Sequence, residues 1–109
     1  MSQKLYIVGR SIFEDYFTRN IVDMLLLQVE LNIHDQHLHL IQDAVISAKK
    51  GNSLASKITT LIEKGVRVSV QKEDVLARGN FDLIPGVEIN DYDALVDLIF
   101  DCEKICSNI

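Results

Sequence analysis

The chain has 109 residues, 48% of them hydrophobic, and a formal net charge of −5 at pH 7, with a pI near 5.0 and a mean hydropathy of +0.13. That length and apolar content suit one domain with a substantial core. The acidic balance, with no basic run beyond Lys49-Lys50, excludes a direct grip on nucleic acid by a clustered basic face, so any RNA contact would have to pass through a partner.

The first predicted element is a short buried strand, Leu5-Tyr6-Ile7-Val8, ending at Gly9. A helix follows from about Ile12. Ser11 and Glu14 have the spacing of a capping box, in which hydroxyl and carboxylate satisfy orphan backbone N–H groups. Phe13, Phe17, Ile21, Met24 and Leu25 give this helix an apolar stripe. Val29, Leu31 and Ile33 alternate with polar residues, so its last part can pass into an extended connection. The second predicted strand spans about His37 to Ile41. Beyond Asp43 comes a helical segment broken at Gly51-Asn52, then a second piece from Leu54 to Lys64, with Ser53 as its cap and Gly65 as its stop. Val66 to Val70 is the third strand. A one-turn acidic helix, Lys72 to Gly79, and a loop through Pro85-Gly86 lead to the fourth strand, Val87 to Ile89. Asp91 then caps a last helix reaching about Ile105.

Strands alternating with helices predict a single α/β domain: a four-stranded parallel sheet with helices on both faces. The mixture of His37 and His39 with Leu38 and Leu40 suits an edge strand, which a 2-1-3-4 order would provide. In such sheets ligands sit beyond the carboxyl ends of the strands. The candidate rim residues are therefore Arg10, Ser11, Asp43, Asp74, Arg78, Asp91 and Tyr92. Capping already gives Ser11 and Asp91 a structural use. A phospho-acceptor site would need an acidic pair after the first strand, where Gly9-Arg10 stands instead. Gly9-Arg10-Ser11 is too short to wrap a phosphate, and no G-x-G-x-x-G fingerprint occurs. No cofactor is implied.

Persulfide chemistry needs an accessible thiolate, favoured by a helix N-terminus or a nearby cation. Cys102 and Cys106 are instead predicted on the last helix near its C-terminus, in line with Leu95 and Ile99 and flanked by Asp101 and Glu103. Those surroundings disfavour an anion, which makes both thiols poor sulfur carriers and better small apolar fillers. His34, His37 and His39 read as solvated histidines. A structural zinc site wants four ligands, usually with thiolates, and the cysteines are far off in sequence; no metal site is expected. Two cysteines make no disulfide framework. Met1 to Lys4 leads into a strand-length apolar run and not a signal-peptide core, and Met24 to Leu27 is too short to span a bilayer. Cytoplasm, without membrane contact, is the expected location.

The order of strand (Val66–Val70), acidic turn closed by Leu76-Ala77-Arg78-Gly79, loop, strand (Val87–Ile89) and Asp91-Tyr92 resembles the DsrH/TusB family of sulfur-relay proteins. Leu38-His39-Leu40-Ile41-Gln42-Asp43 is similar to the family's strand ending in an acidic residue. The likeness covers roughly Leu38 to Cys102. It implies a DsrEFH-like fold and a heterohexamer with DsrE/TusD-like and DsrF/TusC-like subunits, in which the DsrE or TusD partner carries the sulfur. In the Tus branch that sulfur ends on the wobble uridine of certain tRNAs. Members tied to sulfur oxidation carry a cysteine on the first helix; this chain has Ile21, Val22 and Met24 there. The resemblance therefore implies a non-catalytic, TusB-like subunit; Arg78, in the motif that matches the family best, either faces a partner or pairs locally with Glu73 and Asp74. A subunit of a sulfur-oxidation DsrEFH complex and a stand-alone homo-oligomer binding a small ligand at its strand ends are the alternatives. The high hydropathy suits any of these assemblies, since an isolated domain of this size would show that surface to water.

Overall fold

The computed structural model describes residues 4–10 and 16–108. In chain order the elements are β1 (Lys4–Val8), α1 (Tyr16–Glu30), β2 (Gln36–Leu40), a 3-10 helix (Gln42–Ala48), α2 (Ala55–Glu63), β3 (Arg67–Gln71), α3 (Lys72–Ala77), β4 (Glu88–Asn90), α4 (Tyr92–Asp101) and β5 (Lys104–Asn108). All strand pairs are parallel, in the order β4-β3-β2-β1-β5. The α/β class, the parallel sheet and its helical cover are as the sequence implies. The Ser11–Glu14 capping box lies outside the described residues.

Two expectations are corrected. The strand order is not 2-1-3-4, and β2 is not an edge: it lies between β1 and β3 with every residue buried. Its histidines tolerate that position because β3 presents Ser69 and Gln71 to their ring nitrogens. The last helix also ends earlier than expected. Cys102 is its C-cap, with extended backbone at φ −86° and ψ 138°, and Lys104–Asn108 adds a fifth strand along β1. A short C-terminal run with apolar residues fits a helix or a strand equally well; an open β1 edge decides in favour of the strand.

The register divides the sheet into two faces. Tyr6, Val8, Leu38, Leu40, Val68 and Val70 line one. Against it pack Ile21, Val22 and Leu25 of α1, and Leu54, Ile58 and Leu61 at i, i+4, i+7 along α2 and its cap. An Asp23–Lys57 ion pair at 2.7 Å ties the two helices at the surface. Successive right-handed crossovers from β1 to β4 place their helices on this face. The β4-to-β5 connection runs back across the sheet, and the same handedness assigns α4 to the other face.

Local signals set the breaks. Gly65 ends α2 at φ 93° and Gly79 follows α3 at φ 97°, left-handed positions where glycine is unstrained. The connection after α1 turns through Asn32 at φ 61° and Asp35 at φ 70°. Asn52, rather than Ser53, prepares α2. Its Oδ1 accepts the Leu54 N–H at 2.6 Å, while Nδ2 donates to the Ser47 and Lys49 carbonyls. No helix among the described residues is long and apolar enough to cross a membrane.

Candidate functional site

Three of the predicted rim residues meet at the carboxyl ends of β2 and β3. Arg78, just past α3, donates from Nε and Nη2 to Asp43 Oδ1 at 3.1 and 2.8 Å. Its Nη1 donates to the Asp74 carbonyl at 3.1 Å and lies 3.8 Å from the Asp74 carboxylate. Asp74 Oδ2 in turn accepts the N–H of Gln42 at 2.8 Å, where φ is +50°. The result is a clasp holding the β2 exit against α3. Asp43 lies 35 residues before Arg78, a separation at which no local pattern reports the pair. Glu73, a nearer acid, accepts from Gln71 Nε2 instead. With its side chain 27% exposed, Arg78 is turned largely into this clasp.

The other rim residues stand apart. Asp91 caps α4 as expected, accepting the Ala94 N–H at 2.9 Å. Tyr92 is exposed at the start of α4, and Arg10 is exposed after β1. Ser11 lies outside the described residues.

On the α4 side the sheet buries a file of polar groups, among them His37 and His39, which were expected to be solvated. His37 Nε2 and His39 Nδ1 each lie 2.7 Å from Ser69 Oγ. His39 Nε2 lies 2.8 Å from Gln71 Oε1, and Gln71 Nε2 lies 2.8 Å from Glu73 Oε1. Burial favours the uncharged form of both rings, and with neutral rings the Glu73 carboxylate as terminal acceptor assigns the protons along the file. Gln71 donates to Glu73, His39 Nε2–H donates to Gln71, Ser69 O–H donates to His39 Nδ1, and His37 Nε2–H donates to Ser69. His37 Nδ1 is a buried acceptor without a partner among the described residues. Burial, with Arg67 nearby, lowers the His37 pKa to about 4. Burial also lowers that of His39, against the opposing effect of the hydrogen bond that its ring donates to Gln71. Alternating polar residues on paired strands were the available signal; they read as an edge only because the partner strand was unknown.

On the same face Arg67 grips Glu88 bidentately at 3.0 and 2.9 Å. The hydrogen bond from Arg67 holds the Glu88 carboxyl below its usual range. Cys102 follows α4 at the amino end of the sheet, away from the rim. Burial and the adjacent Asp101 raise its thiol pKa, with Arg67 opposing. Cys106 is not helical. It is exposed on β5 opposite Tyr6, in a shallow groove with Lys4 and Lys104. Among the described residues no group of His, Cys, Asp or Glu is placed to hold a metal ion.

The same fold occurs in the ychN protein from E. coli (TM-score 0.88, 20% identity, covering 99% of this chain and 100% of that one). It also occurs in MTH1491 from Methanobacterium thermoautotrophicum, a protein of unknown function (TM-score 0.74, 10% identity, 99% and 100% covered). A third neighbour is BT1422 from Bacteroides thetaiotaomicron, a conserved protein of unknown function (TM-score 0.74, 14% identity, 97% and 95% covered). No curated protein sequence matches the chain. The family model for DsrH-like proteins matches residues 14–105, and the chain belongs to that family.

Proposed function

We propose that this chain is a non-catalytic, TusB-like subunit of a sulfur-relay assembly. It works beside DsrE/TusD-like and DsrF/TusC-like subunits and supports sulfur delivery to the wobble uridine of tRNA, which it meets only through its partners. The observation that carries this reading is where the thiols lie within a DsrH-like chain. Cys102 sits at a helix C-terminus, away from the strand-end rim, and burial and Asp101 raise its pKa. Both influences disfavour the thiolate that persulfide transfer requires. Cys106 is exposed on the edge strand beside Lys4 and Lys104, surroundings that do not disfavour a thiolate, so the reading stands on Cys102, and Cys106 is the thiol that the persulfide test must exclude. The clasp of Asp43, Asp74 and Arg78 offers no thiol to carry sulfur. A chain of this kind contributes shape and contacts to an assembly whose partner holds the reactive cysteine.

Two measurements test the proposal. Co-expression with DsrE-like and DsrF-like chains should return a stable complex containing all three. Incubation of the isolated chain with a cysteine desulfurase and cysteine should leave its intact mass unchanged. A stoichiometric gain of one sulfur at Cys102 or Cys106 would refute the non-catalytic role. Loss of tRNA thiolation when the chain is deleted, restored by a Cys102→Ala/Cys106→Ala double variant, would tie the assembly to tRNA without a thiol from this subunit.

A further inference from the structure

The outer side of α4 carries two parallel stripes. Tyr92, Val96, Ile99 and Phe100 recur at helical spacing, and all are exposed, Phe100 by 83%. Asp93, Asp97 and Asp101 run beside them at i, i+4, i+8, all exposed. None of these three aspartates takes part in the ion pairs of the described residues. From residue 79 to residue 103 the chain has seven acidic residues and no lysine or arginine. No residue of α4 is fully buried. An isolated amphipathic helix normally turns its apolar stripe inward; α4 keeps much of its own outside.

Charge decides what can cover it. A two-fold contact uses the same patch on both copies, so an antiparallel pairing of α4 with α4 would set both aspartate stripes along one side of the apolar seam. A surface with an apolar centre and a rim of lysine or arginine would instead pair with the aspartates and steer its own approach. We infer that α4 is the docking helix for a different protein subunit whose contact surface is apolar at its centre and basic at its rim. The inference rests on the subunit role proposed above and names the surface and the chemistry that serve it.

The test uses the full-length chain titrated with the purified DsrE-like and DsrF-like subunits. Two variants are compared with wild type: Phe100→Ala, and the charge reversal Asp97→Lys/Asp101→Lys. Both changes lie on exposed positions, and unchanged thermal melts would show that the fold is kept. Phe100→Ala should weaken binding about tenfold or more, as for an aromatic anchor at an interface. The charge reversal should slow association and remove most of its salt dependence. Wild-type affinity in both variants would overturn α4 as the docking surface and leave the subunit role standing. No binding by wild type would overturn both. A self-associating wild type that Phe100→Ala turns into a monomer would show a second copy on α4 and overturn the heterologous partner.

Discussion

The two faces of the sheet are built on opposite rules. The face under α1 and α2 is aliphatic from Tyr6 and Val8 across Leu38 and Leu40 to Val68 and Val70. The face under α4 buries His37, His39, Ser69 and Gln71 completely. Both exclude water, yet they hold differently. The aliphatic face gains from every methylene removed from solvent, whichever apolar atom it meets. On the polar face each side-chain group but His37 Nδ1 meets one particular atom, because a buried polar group without a partner costs more than a satisfied one contributes. The first face accounts for most of the stability. The second pins β2 against β3 at a single register and keeps two imidazoles uncharged.

The largest expected effect tests the aliphatic side. Leu61→Ala, at a side chain with no solvent exposure, should lower unfolding free energy by about 3 kcal/mol, through lost transfer energy and the cavity left behind. Urea denaturation measures it, and a loss below about 1 kcal/mol would mean that this face is not the principal core.

The polar side should respond to acid. His37 has its pKa lowered to about 4 in the folded protein, against an unfolded value near 6.5. Above pH 6.5 both states are neutral and the full stability is present. As pH falls below 6.5 the unfolded chain takes up a proton that the folded chain refuses, so stability drops until the folded value is reached. Between pH 7.5 and 4.5 the loss should reach about 2 kcal/mol, with His39 acting in the same direction. Below about pH 5 the depressed Glu88 carboxyl adds a loss of the same sign, so it is the decline between about pH 7 and 5.5 that isolates the histidines. A flat stability profile over this range would remove the buried neutral file.

Ser69→Ala cuts the same file without changing pH. It strands the His37 Nε2–H donor and the His39 Nδ1 acceptor together, and should cost about 1–2 kcal/mol. It should also alter the acid profile, which a purely packing role for Ser69 would leave in place. Histidine titration followed by NMR reads this directly.

The smallest effect concerns the rim, outside both faces. Arg78→Ala should cost at most about 1 kcal/mol, because Asp43 is well exposed and water screens the pair. If assembly with the partner subunits stays intact while the melt shifts by that amount, Arg78 is a clasp. An unchanged melt with assembly weakened about tenfold would instead restore the partner-facing role.

How much of this was legible in the chain differs by region. The third strand, offset by one residue to Arg67–Gln71, the glycine stops at Gly65 and Gly79, and the Asp91 cap are short-range features that follow the residue pattern. The partner of Arg78 was not legible, because Asp43 reaches it only after β2 and β3 are side by side. His37 and His39 were misread for the same reason. Alternating polar and apolar residues describe an edge strand, or equally an interior strand whose neighbour offers matching hydrogen-bond partners.

The amino-acid sequence by itself determined the α/β class, the helical and extended segments as far as Tyr92, the acidic charge and the family likeness carried by the Lys72–Tyr92 region. These rest on periodicity, caps and turns, which act over a few residues. Only the tertiary structure decided that β2 lies inside the sheet, that Lys104–Asn108 becomes a strand on β1, and that Cys106 leaves the helix for that strand. Each depends on which edge is open and which side chain lies across the ladder. The local pattern is compatible with two outcomes at each of these points, and long-range hydrogen bonding selects one.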